Sequence, residues 1–153
     1  MSGPRPVLLL LSGPNLDLLG QREPEIYGTA TLEDHRRAAA EVAAEAGYDL
    51  QHLQSNREGV LVEAIHAARA TVAGIVINPG ALTHYAWSLH DALAAFAGPV
   101  IELHLSNPAA REAWRHHSVI SPVADAVIAG LGADGYPLAV QALIRLVRAS
   151  GHP

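Results

Sequence analysis

Short apolar runs alternate with stretches of helical periodicity five times along this chain, and that alternation constrains the fold more than any other feature. The runs are Val7–Ser12, 48–53, 73–77, 100–105 and Ala126–Ala129, rich in leucine and β-branched residues and bounded by Gly, Pro or Asn. Val7–Ser12 is apolar without interruption, as expected of a central strand covered on both faces. Between the runs, the spacing predicts helices. Thr31 caps one that extends to Ala46, with Asp34 in the capping-box position and Gly47 as its stop. A second covers 57–71 with Val60, Ala64 and Ile65 inward. Thr83 caps a third that reaches Phe96, and 136–149 closes the chain as an amphipathic helix.

Strands alternating with helices argue for an open, mostly parallel α/β sheet with helices on both faces. For five strands the commonest arrangement is the flavodoxin-like order 2-1-3-4-5. Its ligand crevice lies outside the carboxyl ends of the strands, where the order reverses between the first and third. The 153 residues are half hydrophobic and only 16% charged. They read as one domain, 1–153, with a single core.

Composition removes several classes of function. A net charge of -5 without a basic cluster argues against nucleic-acid binding. No apolar run approaches the roughly 20 residues that span a bilayer, and the apolar stretch near Met1 lacks a cleavage pattern, so a cytoplasmic protein is expected. There is no cysteine, hence no disulfide, thiolate nucleophile or thiolate metal site. All ten basic residues are arginine. Without lysine, neither Schiff-base catalysis nor a Walker-type phosphate site is available.

The chemistry concentrates after the fourth strand. Glu102, His104 and Ser106 fall at period two, which would place an acid–base pair and a hydroxyl in one row. Arg111 and Arg115, four apart on an expected short helix, would share a face and fork onto a carboxylate. A solvated edge strand followed by a charged helix is the plainer account of the same residues. Tyr27 and Arg22 occupy an exposed, lid-like loop over 21–28; a phenol with an ordinary pKa of about 10 serves as a base only where cations favour its anion. Asn15, Asn78, Thr83 and His84 sit on turns, and with Ser106 they would form a polar rim at the strand ends. Gly130 to Gly135 satisfies the G-x-G-x-x-G pattern, but the strand and acidic residue required further on would lie past Pro153. His116 and His117 are adjacent, so on a helix they point about 100° apart, and no metal site is expected.

Taken together, these blocks resemble the type II 3-dehydroquinate dehydratases. The resemblance runs through Ser12-Gly13-Pro14-Asn15-Leu16, Arg22 to Gly28, Gln54-Ser55-Asn56, Ile77 to Ala81, Thr83-His84, Glu102 to Asn107, Arg111-Glu112, Arg115 to Ser118 and Gly130 to Tyr136. It implies a cofactor-free anti elimination that converts 3-dehydroquinate to 3-dehydroshikimate through an enolate. Tyr27 would be the base, supported by Arg22, while Arg111 would tune its surroundings. Asn15 would position a water at the enolate, and His104, oriented by Glu102, would be the acid. Asn78, His84 and Arg115 would hold ring hydroxyls, and Ser106 with the adjacent backbone at Leu105 would bind the carboxylate. The resemblance also implies a dodecamer of four trimers, in which Asp91 reaches a neighbouring subunit's site. Ser12 replaces a frequent Asn, Tyr85-Ala86-Trp87 replaces small residues, and His90 precedes Asp91. A non-catalytic flavodoxin-like module binding FMN, or an inactive relative that keeps only assembly, are the alternatives.

Overall fold

The computed structural model describes residues 3–151. Five parallel strands, β1 (Val7–Ser12), β2 (Asp49–Gln54), β3 (Gly74–Asn78), β4 (Val100–His104) and β5 (Ala126–Ala129), form one sheet in the order β2-β1-β3-β4-β5. This is the flavodoxin-like order. Ser12 is in register with both Gln54 and Asn78, so the exits of β1, β2 and β3 end level on one edge of the sheet.

Side chains on β1 alternate faces, and the interior divides accordingly. Leu8 and Leu10 pack with Val76, Ile101 and Leu103 under α2 (Leu32–Glu45) and α5 (Gly135–Ala149). Leu9 and Leu11 pack with Ile75, Ile77 and Val100 under α3 (Glu58–Ala68) and α4 (Trp87–Ala94). The single core expected from length is therefore two, one on each side of the sheet. On α5, Tyr136, Ala139, Val140, Leu143, Ile144 and Val147 form the buried stripe, at the spacing of one helical face.

At α2 the capping box is complete: Asp34 N donates to Thr31 Oγ1 (3.1 Å), and Thr31 N donates to Asp34 Oδ2 (2.9 Å). Elsewhere the local reading shifts. Leu61, Ile65 and Ala68 face the core of α3, while Val60 and Ala64 are only partly buried. The third predicted helix begins at Trp87, not after Thr83, because Gly80–His84 forms a 3-10 turn that buries the Thr83 side chain. The 21–28 loop is not wholly irregular: it contains one helical turn, α1 (Pro24–Tyr27), entered through Glu23 at φ 35° and left through Gly28 at φ 82°.

Candidate active site

Gly13 brings the first two walls of the site together. A Cβ there would lie 2.5 Å from Pro79 O, so only glycine lets the turn after β1 touch the turn after β3. Gly13 N donates to Asn78 O at 2.8 Å across that contact. Asn15 follows in the left-handed conformation (φ 68°), which its short polar side chain tolerates, and its N–H is held by Asn56 Oδ1 at 2.9 Å. Asn78 is buried, and both ends of its amide are fixed. Nδ2 donates to Tyr136 Oη (3.2 Å), and Oδ1 accepts from Gly80 N (3.3 Å). Ser12 Oγ, 3.2 Å from the same Tyr136 hydroxyl and 3.0 Å from His52 Nε2, completes the support beneath it.

These turns open on a cleft at the carboxyl ends of β1, β3 and β4. It is lined by Asn15, Asn78, His84, His104, Leu105, Ser106, Arg111 and Arg115, with Arg22 and Tyr27 reaching in from the α1 loop. Among the described residues, three arginines and two histidines line it, and no carboxylate does. In a chain of net charge -5 this is a local field suited to a small anion.

Tyr27 is 9% exposed, which overturns its reading as an exposed loop residue. The Arg22 and Arg111 guanidinium carbons lie 4.7 and 5.2 Å from its ring centroid. Arg111 Nη1 donates to Ser106 Oγ at 3.1 Å, while its Nε is buried without a hydrogen-bond partner among the described residues. Arg111 and Arg115 do not share a helix. Pro108–Ala110 and Ala113–His116 are separate 3-10 turns, and Arg111 is the extended link between them. Asn107 Oδ1, accepting from Ala109 N at 3.1 Å, and Pro108 open the first of these turns, and the extended backbone of Arg111 ends it. The two arginines reach the cleft from successive turns and not from one helix face. Arg115 pairs with Glu112 and lies 4.0 Å over the Trp114 ring, and the edge of Trp114 meets His84. His84 Nδ1 donates to His117 O at 2.7 Å, and burial pulls its pKa below the ordinary histidine value.

β4 lies between β3 and β5 and is buried along its length, so it is not an edge strand. The expected row of Glu102, His104 and Ser106 is also broken. β4 ends at His104; Ser106 reaches the cleft from the turn beyond it, and Glu102 sits behind His104, away from the cleft. Glu102 Oε2 accepts from His104 Nε2 at 2.6 Å. A carboxylate only accepts, so the proton lies on Nε2 and leaves Nδ1 as the nitrogen for the cleft. Thr83 Oγ1 (2.6 Å) and Ser121 Oγ (2.5 Å) also donate to Glu102, and Ser118 Oγ lies 3.0 and 3.2 Å from its two oxygens. Burial alone would raise the Glu102 pKa, but the bonds from His104, Ser121 and Thr83 outweigh it and hold the carboxyl below its usual range. Ser121 carries no sequence signal, because its partner lies 19 residues upstream. Thr83, expected on the rim, turns its hydroxyl away from the cleft to this carboxylate.

The glycine pattern at 130–135 is structural. Gly130 N and Gly132 N donate to His104 O (3.3 Å) and Leu105 O (3.0 Å), so these amides brace the exit of β4 and cannot cradle a phosphate. Asp91 lies on α4 with its side chain 85% exposed and does not line the cleft. Among the described residues, no three His, Asp or Glu side chains gather as a metal site.

Fold and cleft together define a flavodoxin-like α/β protein with a cationic cleft at its topological switch point. The family model for dehydroquinase class II matches residues 6–144. A 3-dehydroquinate dehydratase of Cereibacter sphaeroides is 55% identical over 139 residues, covering 91% of this chain and 95% of the relative. A catabolic 3-dehydroquinase of Pyricularia oryzae is 50% identical over 151 residues, covering 97% and 96%. The crystal structure of a type II dehydroquinase from Butyrivibrio crossotus superposes with a TM-score of 0.89 at 40% identity, covering 93% of this chain and 99% of that one. The chain belongs to the class II dehydroquinase family and is an enzyme, a hydro-lyase. The family match does not favour the FMN-binding module or the inactive relative.

Proposed function

We propose that this enzyme, acting in shikimate or quinate metabolism, interconverts 3-dehydroquinate and 3-dehydroshikimate by anti elimination, with Tyr27 as base and His104 as acid. The observation that carries the reading is the juxtaposition in one cleft of Tyr27 beside two guanidinium groups and His104 backed by a buried carboxylate. The phenolate of Tyr27 removes the proton alpha to the ketone, and the C–H electron pair passes into an enolate. Positive charge from Arg22 and Arg111 stabilises the phenolate before it accepts the proton. A water held by Asn15 hydrogen-bonds the enolate oxygen. Collapse of the enolate forms the C=C bond and expels the hydroxyl, which takes the Nδ1 proton of the doubly protonated His104 and leaves as water, while Nε2–H stays on Glu102. Return of the proton from Tyr27 to His104 through solvent restores the starting state.

Arg115, His84 and Asn78 bind ring hydroxyls, and Ser106 with the backbone at Leu105 binds the carboxylate. The fixed amide of Asn78 and the Nδ1–H···O bond of His84 support this assignment, since each presents one defined polar edge. No organic cofactor or metal takes part. Residues 1–153 act as one cytoplasmic domain, assembled as four trimers, with Asp91 completing a neighbouring site. The exposure of Asp91 together with Tyr85 (62%) and Trp87 (60%) supports that contact. Sedimentation should give twelve times the mass of one chain; a monomer would refute the assembly. Incubation with 3-dehydroquinate should raise near-ultraviolet absorbance as the conjugated enone forms, and no rise at high enzyme concentration would sink the reaction.

A further inference from the structure

We propose that Thr83, Ser118 and Ser121 are positioning residues that hold the buried Glu102 side chain ionised and immobile, so that His104 keeps one ring orientation and one tautomer towards the cleft. The inference rests on the reading of His104 as acid and adds the residues that keep it one. None of the three hydroxyls lines the cleft. They come from two segments distant in sequence, the Gly80–His84 turn and the chain after Ala113–His116, and meet on a carboxylate that is 1% exposed.

Proton bookkeeping fixes the direction of each bond. Ser118 Oγ accepts from Ile120 N (3.1 Å) and Ser121 N (3.0 Å), which occupies both its lone pairs. Its own proton is therefore free to point at Glu102, with Thr83 Oγ1 2.9 Å away on the same side. Thr83 Oγ1 and His104 Nε2 then fill the two acceptor positions of Oε2, and Ser121 Oγ with Ser118 Oγ (3.2 Å) fill those of Oε1. Protonating Glu102 would set a proton against one of these donors, so the cage is complete only around the anion. The other charged or titratable groups near the pair are His84 and Arg115 on the cleft side and His116 beside the cavity behind β4. Neither His84 nor Arg115 bonds Glu102; His84 is engaged by His117 O and Arg115 by Glu112.

Thr83→Val removes the hydroxyl and keeps the shape, whereas Thr83→Ser keeps the hydroxyl and loses a methyl. A cage predicts that Thr83→Val and Ser121→Ala each lower kcat about 10- to 100-fold, the worth of one charge-assisted hydrogen bond. KM should stay within about threefold, because no substrate contact is lost. Thr83→Ser should recover most of the lost kcat. With a donor gone, the carboxylate is more easily protonated, so the acid limb of kcat should move to higher pH in Thr83→Val and Ser121→Ala. A packing role predicts the reverse ranking, Thr83→Ser at or below Thr83→Val, with the limb unmoved, and that result would overturn the proposal.

A second arm needs no turnover and covers any variant that folds poorly. Histidine-15N NMR at alkaline pH, where the imidazole is neutral, should show the wild-type His104 in the Nε2–H form, and Ser121→Ala should show a mixture of tautomers. An unchanged single tautomer in that variant would also overturn the cage. If the wild-type enzyme shows the single tautomer but does not convert 3-dehydroquinate, the reaction reading fails and the cage stands.

Discussion

Gly13→Ala should damage stability and catalysis together, through one contact. The new Cβ would lie 2.5 Å from Pro79 O and 2.7 Å from Pro79 C, where ordinary contact begins at 3.4 Å. Both obstructing atoms are backbone, so no side chain can rotate aside, and the two turns must separate by about 0.9 Å. The bond from Gly13 N to Asn78 O starts at 2.8 Å, and the same displacement takes it beyond hydrogen-bonding distance. Overpacking of about 1–3 kcal/mol plus about 1 kcal/mol for the lost bond gives roughly 2–4 kcal/mol. For a domain of this size that is a fall in Tm of roughly 5–15 °C. Asn15 and Asn78 ride on the separated turns, and misplacing them by nearly 1 Å should cost about a hundredfold in kcat/KM. Gly59→Ala is the control: it sits in α3 with nothing within 4 Å of the place its new methyl would take, and should be neutral or stabilising. Thermal denaturation and the enone assay read both effects. A Gly13→Ala enzyme melting within about 2 °C of the parent, with unchanged kcat/KM, would refute the close-approach argument.

Tyr27→Phe should lower kcat by about a hundredfold or more while leaving Tm unchanged, since the ring that packs is retained; near-normal turnover would remove Tyr27 as base. His104→Ala should lose kcat on a similar scale and still bind product in equilibrium titration. Glu102 is held below its ordinary pKa, so the folded state binds a proton less readily than the unfolded state. Its contribution is full above the unfolded carboxyl value of about 4.3 and is lost as pH falls through the folded value. Glu102→Gln should therefore be destabilised at neutral pH by about 2–4 kcal/mol, with the gap to the parent narrowing on acidification in urea titrations. Thr31→Ala should cost about 1 kcal/mol in the same titrations with kcat untouched, because its cap serves only α2.

How much of this was legible in the sequence follows from the range of each signal. Strand order and the Thr31–Asp34 box depend on periodicity and on residues three apart, and both are found as read. The arginine pair shows where local reasoning gives the right residues for the wrong cause: helical spacing grouped Arg111 with Arg115, yet two short 3-10 turns joined by an extended Arg111 deliver both to the cleft. Glu102 shows where it stops. Its proximity to His104 was readable two residues away, but the hydroxyls that keep it charged lie 16 to 19 residues off in either direction, on turns that nothing local marks. The glycines at 130–135 complete the point. Their pattern matches a phosphate-loop motif but reads as tight turns, and the amides of Gly130 and Gly132 are spent on the carbonyls of His104 and Leu105. A motif after β5 thus braces the strand end that carries the acid, and that role depends on β4 and β5 being neighbours in the sheet.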